Sequence, residues 1–200
     1  FAANPSLYEI GGVSGSTITP LLNAGTIRPL DDLVAKYGQN LNPNQLIKID
    51  GKIMGIAMSV NNQHLMYRKD ILDDLGIAEP KTYDDVLAAA EKIKAANVVD
   101  YPFGGAYKSG WNVAEEFVNM YLGNGGDFFG DGNAPAINNA AGIKSLETMK
   151  KLTAYMDPEY LTSDSTYAQK QMQQEKIAMA YLWATRAGAM DNAEESKVVG

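Results

Sequence analysis

The sequence predicts an α/β fold, because short apolar segments typical of strands alternate with amphipathic segments typical of helices. Hydrophobic residues make up 46% of the 200 residues, which is enough to build a sizeable core. The chain contains no cysteine. Disulfides, thiol catalysis and cysteine metal sites are therefore excluded.

The charge balance argues against nucleic acid as a partner. The chain has 17 basic and 24 acidic residues, a net charge of −7, and no run of lysines and arginines. An acidic chain of this kind is a poor ligand for nucleic acid or for an anionic membrane surface. Nucleic acid is therefore not expected among its partners.

Both ends of the chain indicate a piece of a longer protein. The first residues, FAANPSLYEI, contain neither a start methionine nor a signal peptide. The last residues, EESKVVG, stop in what looks like the beginning of a strand at 197–200. We expect further chain on both sides.

The first third of the chain predicts two helices and three strands. A strand is expected over 6–12, and two short helices over 17–38, with Gly25 and Gly38 at their carboxyl ends. Strand-like segments follow at 52–60 and 63–68, separated by two asparagines.

The remainder is richer in helices. Thr82 is a candidate N-cap with Asp85 completing a capping box. Further elements are expected in this order: a helix at 69–76, a helix from residue 83, a strand at 101–105, helices at 111–123, 139–156 and 164–175, a buried strand at 176–183, and a helix at 184–195. In the 139–156 helix the inward-facing positions are predicted to be Leu146, Met149, Leu152 and Met156.

Five short motifs occur in the same order as in a known family. They are AGTIRPLDDL (24–33), DGKIMGI (50–56), LMYRKDILDDLGI (65–77), PKTYDDV (80–86) and EKIAM (175–179). Together they resemble the extracellular solute-binding proteins of ABC importers, in particular the branch that binds sugars and oligosaccharides. Ala57 and Arg68 depart from the proline and asparagine that are frequent there.

This resemblance implies a two-lobe fold of the periplasmic-binding-protein type, present here in truncated form. Residues 1–60 would be a partial first lobe, 61–196 a nearly complete second lobe, and 197–200 the start of the return to the first lobe. The implied function is to capture a carbohydrate or related solute in the interlobe cleft and deliver it to a membrane permease. The implied location is periplasmic or extracellular, free or lipid-anchored, and no cofactor is expected.

Aromatic side chains are the first candidates for such a site, because their flat faces pack on the apolar face of a sugar ring. Trp183 follows the apolar strand where it opens towards a cleft. Trp111 and Tyr107 lie in the glycine-flanked segment GAYKSGWN. The alternative for each of the three is ordinary packing within the fold.

Polar candidates would hydrogen-bond the sugar hydroxyls. Asn61 and Asn62 interrupt an apolar stretch, although an Asn-Asn turn between two strands explains them equally well. Arg186 lies three residues after Trp183, where a solvated helix arginine is the alternative. Asp127 follows GNGG and can either accept from hydroxyls or cap a turn.

Two other function classes remain as alternatives. A glycoside-processing enzyme needs two carboxylates that face each other across a sugar site. Glu115 and Glu116 point about 100° apart on a helix, so they cannot both face one bond. A lectin-like domain would use the same tryptophans on an open face. Calcium binding by 127–138 is not expected, since Phe129 and Asn138 occupy ligand positions, and His64 has no second histidine to join it at a metal.

Overall fold

The chain divides into two compact units, Phe1–Val60 and Asn61–Gly200. A computed structural model describes residue 3 and residues 6–199, without the side chain of Ser16. The assignment of the two units to a partial first lobe and a second lobe stays a prediction. Within the described residues no helix is long and apolar enough to cross a bilayer.

The helices and strands alternate through the second unit as an α/β fold requires. The helices are α1 (Gly15–Asn23), α2 (Asp31–Tyr37), α3 (Lys69–Asp74), α4 (Tyr83–Ala96), α5 (Trp111–Gly123), α6 (Ala140–Leu152), α7 (Ser165–Gln173) and α8 (Ala187–Met190). The strands are β1 (Leu46–Ile49), β2 (Lys52–Ile56), β3 (Gln63–Tyr67), β4 (Tyr101–Gly104) and β5 (Ile177–Trp183).

The first unit is built around the antiparallel hairpin of β1 and β2. Asp50 and Gly51 join the strands with φ values of 50° and 76°, as a type I′ turn requires. The main-chain N–H of Ile53 donates to the Asp31 carboxylate at 3.1 Å and thereby attaches β2 to the start of α2. Among the described residues of this unit, Ile53 is the one buried hydrophobic side chain.

The second unit contains a three-stranded sheet in the order β3-β5-β4. The central strand β5 runs antiparallel to β3 and parallel to β4. Met179 and Tyr181 of β5 pack with α4, α5 and α6 on one face, whereas Ala180 and Leu182 pack with α7 on the other. Burial on both faces explains why the segment IAMAYLW is almost uniformly apolar.

Local signals fix the helices that cover the sheet. Thr82 Oγ1 accepts from Asp85 N, and the Asp85 carboxylate accepts from Thr82 N, so the predicted capping box begins α4. Asp164 caps α7 by accepting from the main-chain N–H groups of Thr166 and Tyr167. These caps match the beginnings that the sequence predicts.

The strand expected at 6–12 is wrong. Residues 6–14 form no helix or strand, and Leu7 and Ile10 are 80% and 90% exposed. A strand needs a neighbour that pairs with its main-chain groups, and none of the described residues pairs with this segment. Apolar alternation alone therefore does not make a strand here.

Three other expectations differ from the structure. The described residues 197–199 form no strand, and the helix expected at 184–195 is reduced to the 3₁₀ turn Ala184–Arg186 and the short α8. Leu146 is 58% exposed, while Met149, Leu152 and Met156 are buried as predicted. Leu146 lies outside the stripe because Ser145 and Thr148 occupy the inner face of α6.

Candidate functional site

Two tryptophans lie face to face at the end of the central strand of the second unit. Trp183 is the last residue of β5 and Trp111 is the first residue of α5. Their ring centroids are 5.5 Å apart and their planes differ by 16°. Trp111 is 56% exposed, and Trp183 is half-buried. The chain has two tryptophans, so this tryptophan pair (Trp111 and Trp183) contains both.

The local sequence explains why the two rings meet. Alternation along β5 puts Trp183 on the same face as Tyr181, which is the face that α5 covers. Gly110 precedes Trp111 with a φ of 99°, a conformation that residues with a Cβ rarely adopt. This glycine lets the chain turn sharply into α5 with the indole at its first position.

Two amide side chains lie beside the tryptophan pair. Gln63 is opposite Trp183 in the antiparallel ladder of β3 and β5. Asn119 of α5 donates from Nδ2 to Gln63 Oε1. Because each amide has both a donor and an acceptor, this contact leaves Gln63 Nε2 and the side-chain oxygen of Asn119, Oδ1, available. Neither residue is among the candidates predicted from the sequence.

The asparagines that precede β3 are attached to the end of β5. Asn61 Nδ2 donates to Thr185 Oγ1 at 3.1 Å, and Thr185 N donates to Asn61 Oδ1 at 3.3 Å. The Asn62 carbonyl oxygen accepts from Ala184 N at 2.8 Å. Its side chain has no hydrogen bond to the described residues. Since β2 and β3 belong to different sheets, the alternative of a hairpin turn does not apply.

Arg186 follows the tryptophan pair in sequence, but its side chain is engaged elsewhere. Nη1 donates to Gln169 Oε1 at 2.7 Å, and Nη2 donates to the hydroxyls of Ser165 and Thr166 at 3.2 and 3.3 Å. The guanidinium group therefore joins the end of β5 to the first turn of α7. It is neither a fully solvated helix arginine nor an unoccupied donor.

Tyr107 and Asp127 are not brought to the tryptophan pair. Tyr107 is 5% exposed within the core, where its hydroxyl donates to the Met149 carbonyl oxygen at 3.4 Å. Asp127 follows the far end of α5, a helix that rises about 18 Å from Trp111 to Gly123. Its Oδ1 accepts from Phe129 N at 3.3 Å, as in the predicted alternative of a turn.

A cavity of about 430 Å³ lies on the same face of the sheet. Leu65 and Tyr181 line it, one alternating position along the strands from Gln63 and Trp183. Tyr83 forms another wall, and its hydroxyl donates to the main-chain carbonyl oxygen of Asn119 at 3.0 Å. The cavity and the tryptophan pair therefore occupy successive positions on one face of the sheet.

The two neighbouring glutamates considered for an enzyme differ in their exposure. Glu116 is 2% exposed, and burial raises its pKa to about 7. Its neighbour Glu115 is half-buried. His64 is exposed and alternates with Gln63 along β3. In the described part of the chain, no three His, Asp or Glu side chains are grouped closely enough to hold a metal ion.

A family model described as bacterial extracellular solute-binding protein matches residues 9–199. The chain belongs to this family. The match covers both units and includes every residue of the tryptophan pair and its neighbouring amides. The family is one of binding proteins, as the sequence motifs predict.

Curated relatives agree with the family. The chain is 29% identical over 160 residues to a probable sugar-binding periplasmic protein of Mesorhizobium japonicum, covering 75% of this chain and 38% of the relative. It is 25% identical over 181 residues to a probable sugar-binding periplasmic protein of Rhizobium meliloti, covering 85% and 43%. The chain thus spans about two fifths of the length of these relatives.

Solved structures confirm the predicted fold class. A solute-binding protein of an ABC transporter from Agrobacterium radiobacter K84, in complex with ribitol, superposes with a TM-score of 0.80 at 22% identity, covering 90% of this chain and 47% of its own. A chitin oligosaccharide binding protein gives a TM-score of 0.78 at 22% identity, covering 92% and 47%. The α/β fold is therefore of the periplasmic-binding-protein type.

Proposed function

We propose that this chain is part of a receptor that captures a sugar or polyol for an ABC importer and passes it to a membrane permease. The observation that carries the proposal is the exposed tryptophan pair, which lies beside amide groups with free donors and acceptors. The proposed location is the periplasm or the cell exterior, in keeping with the family. The proposed role is binding without turnover.

The tryptophan pair supplies the apolar half of such a site. At a centroid separation of 5.5 Å the indoles are in stacking contact, so no solute ring fits between them. The exposed outer face of Trp111 is the surface that remains for the C–H face of a sugar or a polyol chain. Contact removes the indole face and the C–H face of the solute from water, which stabilises the complex.

The amides supply the polar half. Sugar and polyol hydroxyls both donate and accept, and planar amides satisfy both needs. Among the described residues, Gln63 and Asn119 lie beside the tryptophan pair and keep unused amide atoms. Asn62, next to Gln63 in the chain, is a further amide whose side chain has no hydrogen bond to the described residues. Asn61 serves instead to hold the end of β5 beside the start of β3, which keeps these groups in position.

A thermal-shift screen tests the proposal. The panel is ribitol, D-mannitol, maltose and a chitin oligosaccharide, the solutes of solved relatives. A solute that binds only the native state raises the melting temperature, by the equivalent of about 2.7 kcal/mol at a concentration of 100 Kd. We expect one class of solute to raise the melting temperature and Trp111→Ala, which removes the exposed indole face, to abolish the rise.

Tyr155→Ala is the matched aromatic control. Its ring lies over Lys94 near the end of α4, outside the tryptophan pair, with Nζ 5.3 Å from the centroid. This variant should keep the solute-dependent rise even if its own melting temperature is lower. A rise that survives in Trp111→Ala, or no rise with any solute of the panel, would contradict the proposal.

A further inference from the structure

Glu116 is a buried carboxyl group that the proposed binding surface does not use directly. It lies in α5, five residues after Trp111, and is 2% exposed. Its Oε1 accepts the main-chain N–H of Ala106 at 3.0 Å. No lysine, arginine or histidine of residues 6–199 forms an ion pair with it. A carboxylate in this position would lack a compensating positive charge.

The hydrogen bond to Ala106 closes a loop that contains Trp111. The connecting segment 105–110 runs from β4 to α5, and Glu116 fixes its start to the helix that it enters. Two other contacts hold its middle: Lys108 N donates to the Ser163 carbonyl oxygen at 2.8 Å, and the Tyr107 hydroxyl donates to that of Met149. A change at Glu116 therefore acts on the segment that positions Trp111.

The groups that face Glu116 are uncharged tyrosines from three sides. Tyr83 comes from α4, Tyr107 from the connecting segment and Tyr181 from β5. Burial raises the pKa of each, and the charge on Glu116 adds to this, after that of Tyr83 in the case of Tyr181. The charged side chains of α6, which also packs on α5, are Lys144, Glu147, Lys150 and Lys151, and none forms an ion pair with Glu116. The Tyr83 and Tyr107 hydroxyls donate to carbonyl oxygens, and that of Tyr181 has no partner in the described part of the chain.

We propose that Glu116 is a positioning residue that couples the geometry of the tryptophan pair to pH. As a neutral acid it holds Ala106 against α5 within a dry, closely packed core. As a carboxylate it accepts more strongly from Ala106 N, which favours the charged form, but with one main-chain donor it is under-solvated. It therefore draws in water or the free Tyr181 hydroxyl. Ala106 and the segment leading to Trp111 then move, and the indoles no longer stack as they do in the neutral form.

Circular dichroism of the solute-free chain tests this directly. Since both tryptophans of the chain form the stack, the coupled indole signal reports on this contact alone. We expect a single sigmoidal change between about pH 5.5 and 8.5, with a midpoint near the Glu116 pKa of about 7. Glu116→Gln, which keeps an acceptor oxygen for Ala106, should lose the change and hold the low-pH signal throughout.

Two variants serve as matched controls. Glu115→Gln removes the adjacent, half-buried carboxyl group and should keep the transition. Histidine side chains ordinarily change charge in the same pH range, and His64→Gln should also keep it. A flat wild-type signal, a transition that persists in Glu116→Gln, or one that is lost in His64→Gln would overturn the proposal.

A measurement on the unsubstituted chain tests the proposal without depending on whether a variant folds. In an NMR titration with pH, the two indole N–H resonances should both shift with the same midpoint near pH 7. Resonances that stay constant would overturn the proposal. The consequence for solute binding rests on the proposed function and is measured separately, as a larger thermal shift at pH 6 than at pH 8. If no solute binds, the solute-free titrations still decide the role of Glu116.

Discussion

Glu116 makes the stability of the fold depend on pH. Burial raises its pKa from 4.5 to about 7 in the folded chain, so the folded state retains this proton over a range where the unfolded state has lost it. The stability contribution is present below pH 4.5 and is lost as pH rises towards 7, up to about 3 kcal/mol in total. We expect Glu116→Gln to flatten this fall, measured by urea unfolding across the range.

Two aspartates stabilise the fold with the opposite pH dependence, in a more acidic range. Asp70 and Asp85 have lowered pKa values, because the Arg68 side chain and the hydrogen bonds of the α4 cap, respectively, favour their charged forms. Their contributions are lost only as pH falls below the ordinary aspartate range. A fall in stability between pH 4.5 and 7 that is equally steep in Glu116→Gln would assign the effect to another group.

Replacing either of two buried serines by alanine should change the stability of the fold in opposite directions. The Ser163 hydroxyl is buried and has no hydrogen-bond partner among the described residues, so Ser163→Ala should stabilise the fold by about 1 kcal/mol. The Ser145 hydroxyl donates to the Ala141 carbonyl oxygen at 2.7 Å and accepts from Asn124 Nδ2 at 3.0 Å. Ser145→Ala should cost about 1–3 kcal/mol. Equal effects in urea unfolding would contradict the assignment.

At the residue scale, the sequence identifies the aromatic part of the candidate site better than its polar part. A tryptophan after a buried strand and one after a glycine both indicate exposure, and the fold brings Trp183 and Trp111 together. Asn119 carries no such signal, because its importance depends on where α5 crosses β3. Tyr107 shares a segment with Trp111, yet its side chain enters the core, and spacing alone does not distinguish the two directions.

At the scale of elements, α6 contains a glycine, Gly142, whose replacement by alanine should change stability in the direction opposite to that expected from helix propensity. Replacing glycine by alanine within a helix usually stabilises it by about 1 kcal/mol. A Cβ on Gly142, however, would lie against the Ile137 main-chain oxygen, well inside van der Waals contact. We expect Gly142→Ala to destabilise the fold by about 1–3 kcal/mol, measured by thermal or urea unfolding.

Gly188 of α8 is the control for this substitution. A Cβ there has open space around it, so Gly188→Ala should be neutral or stabilising by up to about 1 kcal/mol. If both variants respond alike, propensity rather than contact governs these positions. A stabilised Gly142→Ala would show that the 137–139 turn moves away at little cost.

The elements that the sequence predicts well are those with a local cause. The α4 capping box and the apolar run of β5 are written in a few adjacent residues, and both occur where expected. The strand expected at 6–12 and the inward position of Leu146 depend on partners elsewhere. Periodicity cannot show whether such a partner exists, which is why these two predictions are wrong.

For the whole molecule, the described core is concentrated in the second unit. Both clusters of buried hydrophobic residues lie between Ile71 and Leu182, whereas the first unit has Ile53 and a two-stranded hairpin. A two-stranded hairpin alone is marginally stable in water. We expect a chain of residues 61–200 to unfold cooperatively and to keep the coupled indole signal, and residues 1–60 alone to lack a cooperative transition. Loss of the indole signal from 61–200 would contradict this.

The pairing of β3 with β5 also sets an order in time. Asn61 and Thr185, which close this end of the sheet, are 124 positions apart in the chain. During synthesis, β3, α5 and Trp111 emerge well before β5, and contacts between such distant segments form slowly. The tryptophan pair is therefore among the last features to be assembled. A nascent chain halted before Ile177 already carries the residues of every helix from α3 to α7, but it has nothing on which Trp111 can stack.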